Sequence, residues 1–131
     1  MKAKKPPRVL VAEDDREMRA IVAQALRRAG YAVTEARDGA TAVDHIGSCL
    51  LHRVPDPPDV VIADIRMPAL TGLSVLASVR ELGLPVILIT AFGDDHTHAL
   101  ARRLGAITVF DKPFDIDMLC AAVELVAPLP T

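Results

Sequence analysis

The chain has 131 residues, 51% hydrophobic and 24% charged, with a formal net charge of −2, which bounds it to one ordinary globular domain around one layered core. Aromatic residues make up only 3% and Trp is absent, so that core is expected to be aliphatic. The balanced charge gives no electrostatic basis for direct nucleic-acid or membrane-surface binding, no apolar run approaches the about 18 residues of a membrane span, and the basic stretch from Met1 to Arg8 lacks the apolar centre of a secretory signal; a cytoplasmic protein is expected.

After a short N-terminal extension (residues 1–7), the first apolar run is Val9–Ala12, ending in Glu13-Asp14-Asp15. Asp15 stands as N-cap of a helix whose apolar stripe reads Met18, Ile21, Val22, Ala25, Leu26 and Ala29, closed by Gly30. The second run, Ala32–Ala36, alternates more than the others, as an edge strand does; Arg37-Asp38-Gly39 follows, with Asp38 capping a helix that carries Val43, Ile46, Cys49 and Leu50. A stiff Pro55-Asp56-Pro57-Pro58 loop leads to the third run, Val60–Ala63, which ends at Asp64, and Leu73, Leu76 and Val79 mark the third helix. The fourth run, Val86–Ile89, ends in Thr90-Ala91; Asp95 is the expected cap of a short helix with Leu100 and Leu104, closed by Gly105. The fifth run, Ala106–Phe110, ends in Asp111-Lys112-Pro113, and Asp115 caps a last helix along Met118, Leu119, Ala122, Val123 and Val126. Residues 128–131 read as a tail or the start of a linker, leaving 8–127 as the domain.

Strand and helix thus alternate five times, and most of the runs are continuous and β-branched, as strands buried on both faces are. Such alternation implies parallel strands with right-handed crossovers and helices on both faces. A closed barrel of this kind needs about 250 residues, so the expected fold is α/β, an open, doubly wound, five-stranded parallel sheet. Ligands bind such sheets beyond the carboxyl ends of the strands. There the sequence places Glu13, Asp14, Asp64, Thr90 and Lys112. Each alone is an ordinary polar residue leaving a strand; together they make a constellation. Carboxylates about 4 Å apart repel by roughly 4 kcal/mol at an effective dielectric near 20, so the cluster needs a cation or a held proton. An all-oxygen donor set with room for water favours Mg²⁺ over Ca²⁺.

Competing motifs are missing. The sequence has no GxxxxGK[ST], no GxGxxG after the first strand and no GxSxG. His45, His52, His96 and His98 do not form an i, i+4 metal pair and read as surface or helix-flank residues. Cys49 and Cys120 lie in apolar helical patterns and read as two buried thiols rather than a disulfide or zinc site.

The run Val9-Leu-Val-Ala-Glu-Asp-Asp15, then Asp64-Ile-Arg-Met-Pro68 with Gly72, then Thr90-Ala91, then Lys112-Pro113-Phe114, resembles the receiver domains of two-component response regulators over nearly the whole chain, from about Arg8 to Val126. The resemblance implies a flavodoxin-like (βα)5 sheet in the order 2-1-3-4-5. It implies that Asp64 accepts a phosphoryl group from a sensor histidine kinase or phosphotransfer protein, with Mg²⁺ held by Asp14, Glu13, Asp64 and the Arg66 carbonyl. Lys112 and the Thr90 hydroxyl would meet phosphoryl oxygens, as would the backbone at Arg66 and Ala91. The Lys112-Pro113 bond is expected to be cis. The family's output surface implies partner contacts, or a homodimer, through the fourth helix, fifth strand and fifth helix.

One position departs from the family pattern. Val109 stands where an aromatic usually swings inward with the threonine, and Phe110 points to the opposite face by strand parity. Switching through Thr90 and loop rearrangement alone is therefore expected. Bulky Arg66 and Phe92, two residues past the aspartate and the threonine, imply slow loss of the acyl phosphate. Two other readings stand beside this one. A haloacid-dehalogenase-type phosphatase would need a second acid where Arg66 stands. A receiver-like interaction module that no longer uses phosphorylation would not need Glu13, Asp14, Asp64, Thr90 and Lys112 intact. The sequence implies a signalling module rather than a turnover enzyme, and names neither kinase nor target.

Overall fold

A computed structural model describes residues 5–51, 57–67, 70–91, 93 and 95–130. Pro55-Asp56, His52, Pro68 and Phe92 lie outside the described residues. The elements run β1 (Arg8–Ala12), α1 (Arg16–Ala29), β2 (Ala32–Ala36), α2 (Gly39–Leu50), β3 (Val60–Asp64), α3 (Gly72–Val79), a 3-10 turn (Arg80–Leu82), β4 (Val86–Thr90), α4 (Asp95–Arg103), β5 (Thr108–Asp111) and α5 (Ile116–Val126). All strands are parallel, in the order β2-β1-β3-β4-β5. The fold is the open, doubly wound sheet expected from the alternation, with β2 on an edge.

Strand parity divides the core into two layers. Val9, Val11, Val60, Ile62, Ile87 and Ile89 join Val22 and Leu26 of α1 and Leu119 and Val123 of α5. Their neighbours Leu10, Ala12, Val61, Ala63, Val86 and Leu88 join Ala42 and Ile46 of α2, Val75, Leu76 and Val79 of α3, and Ala101 of α4. Burying such an aliphatic side chain stabilises by about 1.5–3 kcal/mol, so β1, β3 and β4, covered on both faces, form the stable centre. Val109 packs in the second layer and Phe110 in the first, as parity requires.

Helix ends follow the expected chemistry with one correction. Asp15, Asp38 and Asp115 accept hydrogen bonds from first-turn amides of α1, α2 and α5. Asp95, expected as a cap, is instead the first residue of α4, where its charge favours the positive end of the helix dipole. Thr71, not anticipated, caps α3 through the Ser74 amide. Gly30 and Gly105 close their helices at φ 114° and 101°.

The apolar stripes are narrower than their periodicity suggested. Ile21, Leu50 and Met118 are exposed, and Ala23, Ala42 and Val75 are buried in their stead. A helix lying on a sheet buries only the arc facing the strands, and small residues sit where the backbones approach most closely. β5 begins at Thr108 rather than Ala106, because Ala106 still bonds back to Ala101 of α4. Cys49 is buried, whereas Cys120 is half-buried and burial pushes its thiol pKa up.

Residues 6–8 and 127–130 come together at the amino-terminal edge of the sheet. The Tyr31 hydroxyl donates to the Ala127 carbonyl at 2.9 Å, and Leu129 lies against Gly30. Pro7, Arg8, Asp59 and Pro85 line the same edge. No helix among the described residues is long and apolar enough to cross a membrane.

Candidate functional site

At the opposite edge, the strand ends bring Glu13, Asp14, Asp64, Thr90 and Lys112 to one place. β1 delivers Glu13 and Asp14, the middle strand β3 delivers Asp64, and β4 delivers Thr90; Lys112 follows β5 directly. Glu13, Asp64 and Thr90 are buried, at 2%, 3% and 1% exposure, in a shell where charge is expensive. Asp14 is exposed.

The Lys112 ammonium spans two of the carboxylates, 2.6 Å from Asp64 Oδ2 and 2.7 Å from Glu13 Oε1. The Lys112 amide also donates to the Thr90 carbonyl at 2.7 Å, which ties the lysine's backbone to the end of β4. The bond to Pro113 is cis, as expected. The second oxygen of Asp64 accepts from the Arg66 amide at 2.9 Å. Both Asp64 oxygens therefore have fixed partners before any ligand arrives. Ala91, the residue after the threonine, is exposed.

Electrostatics match the crowding. Glu13 is raised from 4.5 to about 7, first by burial and then by the Asp64 carboxylate beside it, with Lys112 pulling the other way. Burial alone would lower Lys112, but the Asp64 and Glu13 carboxylates outweigh it and hold the ammonium above its ordinary value.

Glu13, Asp14 and Asp64 can each offer an oxygen, all within 4.8 Å of one another. Fully ionised, three carboxylates against one ammonium leave an excess of two negative charges, which a divalent cation matches and which, without one, Glu13 relieves by holding its proton. The donors are all hard oxygens, with one carboxylate open to solvent, so the residues fit a hydrated hard cation.

Two glycines set the local backbone. A Cβ on Gly72 would lie 2.4 Å from the Asp64 carbonyl oxygen, and one on Gly39 would lie 2.1 Å from the Leu70 carbonyl oxygen. Leu70 thereby lies close against the start of α2, and the end of β3 close against the start of α3.

The sequence reading missed two features here. Arg19 of α1 donates to the Glu13 carbonyl at 2.8 Å; an arginine on a helix face reads as a solvated charge, and no sequence signal marks this contact. His98 of α4 pairs with Asp111 Oδ1 at 2.9 Å, a contact between elements that spacing could not reveal.

Comparison with known proteins points one way. The sequence matches the response regulator receiver domain family over residues 9–124. It is 37% identical over 122 residues to the transcriptional regulatory protein PdtaR of Mycobacterium tuberculosis, covering 92% of this chain and 56% of that protein. It is 36% identical over 118 residues to the DNA-binding transcriptional regulator NtrC of Escherichia coli, covering 88% of this chain but only 24% of that protein. Sporulation initiation phosphotransferase F of Bacillus subtilis is 29% identical over 124 residues, with 93% and 94% of the two chains covered. The chain thus spans a fraction of some relatives and nearly all of others. Among solved structures, the receiver domain of Francisella response regulator 1452 superposes with a TM-score of 0.79 at 29% identity, covering 92% of this chain and 96% of that one. Vibrio cholerae chemotaxis protein CheY4 does so at 0.78 and 26%, covering 92% and 98%. With the sheet order, the strand-end cluster and the match over residues 9–124 all in agreement, the chain belongs to the response regulator receiver domain family.

Proposed function

We propose that this receiver domain accepts a phosphoryl group on Asp64, from a phosphohistidine of a sensor kinase or phosphotransfer protein, in the cytoplasm. The observation that carries the reading is the Lys112 ammonium bridging Asp64 and Glu13 beneath an excess of carboxylate charge. An Asp64 oxygen attacks phosphorus, the new O–P bond forms as the N–P bond breaks, and the N–P electron pair stays on the imidazole nitrogen, the ring leaving neutral because its other nitrogen carries a proton. Mg²⁺, held by Asp14, Glu13, Asp64 and the Arg66 carbonyl, would offset charge on the phosphoryl oxygens.

The chain's own groups do the rest. Lys112 is already within bonding distance of Asp64 and turns to a phosphoryl oxygen as a point charge. The Thr90 hydroxyl and the amides of Arg66 and Ala91 donate to the others. Asp64 stays fixed because its carbonyl abuts Gly72. With Val109 packed in the core layer, the signal passes through Thr90 and the loop after β4, toward a target that contacts α4, β5 and α5, or toward a second copy there. Residues 8–127 form this module, residues 1–7 an extension and 128–131 a tail.

Incubation with acetyl phosphate and Mg²⁺, read by intact-mass spectrometry, tests the proposal. The expected result is the mass gain of one phosphoryl group, absent in Asp64→Asn and without Mg²⁺. No gain in the unsubstituted chain would overturn it in favour of a module that signals by contact alone.

A further inference from the structure

We infer that Arg19 is a positioning residue for the metal-binding carboxylates, acting through the peptide that joins Glu13 to Asp14. Its guanidinium donates through one NH₂ group to the Glu13 carbonyl at 2.8 Å, while its Nε lies 3.5 Å from Glu35 Oε1 on β2. The other oxygen of Glu35 is held at 3.2 Å by Arg27, about two turns further along α1. Arg27 in turn donates to the Val33 carbonyl at 3.2 Å. A relay of side chains therefore runs from β2 to the Glu13 carbonyl and is anchored on a helix at two points.

The Glu13 backbone is held on both sides, through two successive peptides. Its amide donates to the Ala36 carbonyl at 3.0 Å, continuing the β1–β2 ladder, and its carbonyl is held by Arg19. That carbonyl belongs to the same peptide plane as the Asp14 amide. Fixing that plane sets the Asp14 N–Cα bond, and the Asp15 amide, donating to Glu13 Oε2 at 3.4 Å, holds the next peptide; together they set the direction in which the exposed Asp14 side chain leaves the backbone, relative to the buried Glu13 and Asp64 carboxylates. Asp14 has no neighbouring core to hold it, so its backbone orientation is what brings its oxygen within 4.8 Å of the other two. The Arg19 side chain is only 17% exposed, which keeps the fork in one geometry. An arginine suits this task because its planar fork reaches a carbonyl and a carboxylate at once, which a lysine cannot do. Partners one step behind the ligands commonly govern metal affinity in this way.

The inference rests on the phosphoacceptor reading, and two signs separate it from a plain charge effect. Arg19 is a cation near a cation site, so losing it without a positioning role would tighten Mg²⁺ binding. Losing a positioning residue weakens it. The test is calorimetric titration of the full chain with Mg²⁺ alone, alongside thermal melts in chelator.

For Arg19→Gln the expected result is Mg²⁺ affinity weaker by about tenfold in a protein that still melts cooperatively. Glu35→Gln should show a smaller loss, and the double variant less than the sum of the two. Unchanged or tightened affinity in folded Arg19→Gln would overturn the inference. If that variant does not fold, Arg19→Lys takes its place: it keeps the charge but not the span, and unchanged binding there counts equally against the idea. Failure of the unsubstituted chain to bind Mg²⁺ would sink the phosphoacceptor reading and this one together, a pattern distinct from loss of the Arg19 effect alone.

Discussion

Gly72→Ala is the sharpest probe of how the backbone holds the phosphoacceptor. The added Cβ would stand 2.4 Å from the Asp64 carbonyl oxygen, 2.8 Å from its carbonyl carbon and 2.9 Å from Ile65 Cα. Ordinary contact begins near 3.4 Å, so about 1 Å must be found. All three obstructing atoms are backbone, and no rotamer change relieves them. Either α3 withdraws, straining the 3.1 Å bond from the Gly72 amide to the Ile65 carbonyl, or the end of β3 shifts and takes Asp64 with it. Overpacking of this kind costs about 1–3 kcal/mol, and because Gly72 is the first residue of α3, the mid-helix advantage of Ala over Gly offsets little of it. The net loss is about 1–3 kcal/mol, a drop of several degrees in Tm for a domain of this size. Gly47→Ala in α2 is the control: nothing lies within 4 Å of its Cβ, so only the favourable effect remains and stability rises by about 0.4–1 kcal/mol. Thermal melts of both variants in metal-free buffer decide the matter. A Gly72→Ala protein melting at or above the unsubstituted chain would refute the close-approach reasoning.

Glu13 gives a pH signature. Its folded pKa of about 7 lies above the ordinary 4.5, so the folded state retains a proton that the unfolded chain releases. Metal-free stability is then full below about 4.5 and declines as pH rises toward 7, by up to about 1.4 kcal/mol per unit; Glu13→Gln should flatten this slope in urea titrations across that window. Tyr31→Phe removes the buried bond to the Ala127 carbonyl and should cost about 1–2 kcal/mol, read as a lower urea midpoint. Arg66→Asn should speed loss of the acyl phosphate several-fold, followed by the decay of the phosphorylated mass; an unchanged rate would show that Arg66 does not shield it.

Most of the scaffold was legible because parallel strands covered on both faces leave continuous β-branched runs, and because a strand's last residue is fixed by where polar side chains begin. Asp64, Thr90 and Lys112 were found for that reason, and the opposite facing of Val109 and Phe110 follows from parity alone. Helix faces were read less well. The 3.6-residue period admits Ile21 and Met118 to an apolar stripe as readily as Val22 and Leu119, and only the distance to the sheet decides which are covered. Contacts between elements left no trace in the sequence. Arg19 reaching the Glu13 carbonyl, and His98 meeting Asp111, depend on how a helix sits over the sheet. Gly39 announced a turn, but not that the Leu70 carbonyl fills the space where its side chain would be.

The Tyr31–Ala127 tie has a consequence for how anything joined to this domain can communicate with it. It fastens the end of α5 to the edge where the strands begin, while the acidic cluster lies where they finish. A five-residue strand spans about 17 Å, so a protein module, fluorophore or surface linker attached beyond Ala127 starts a full strand length from Asp64. To touch the aspartate, or to block the approach to it, such an attachment must reach back along that length; otherwise news of phosphorylation travels through the body of the domain.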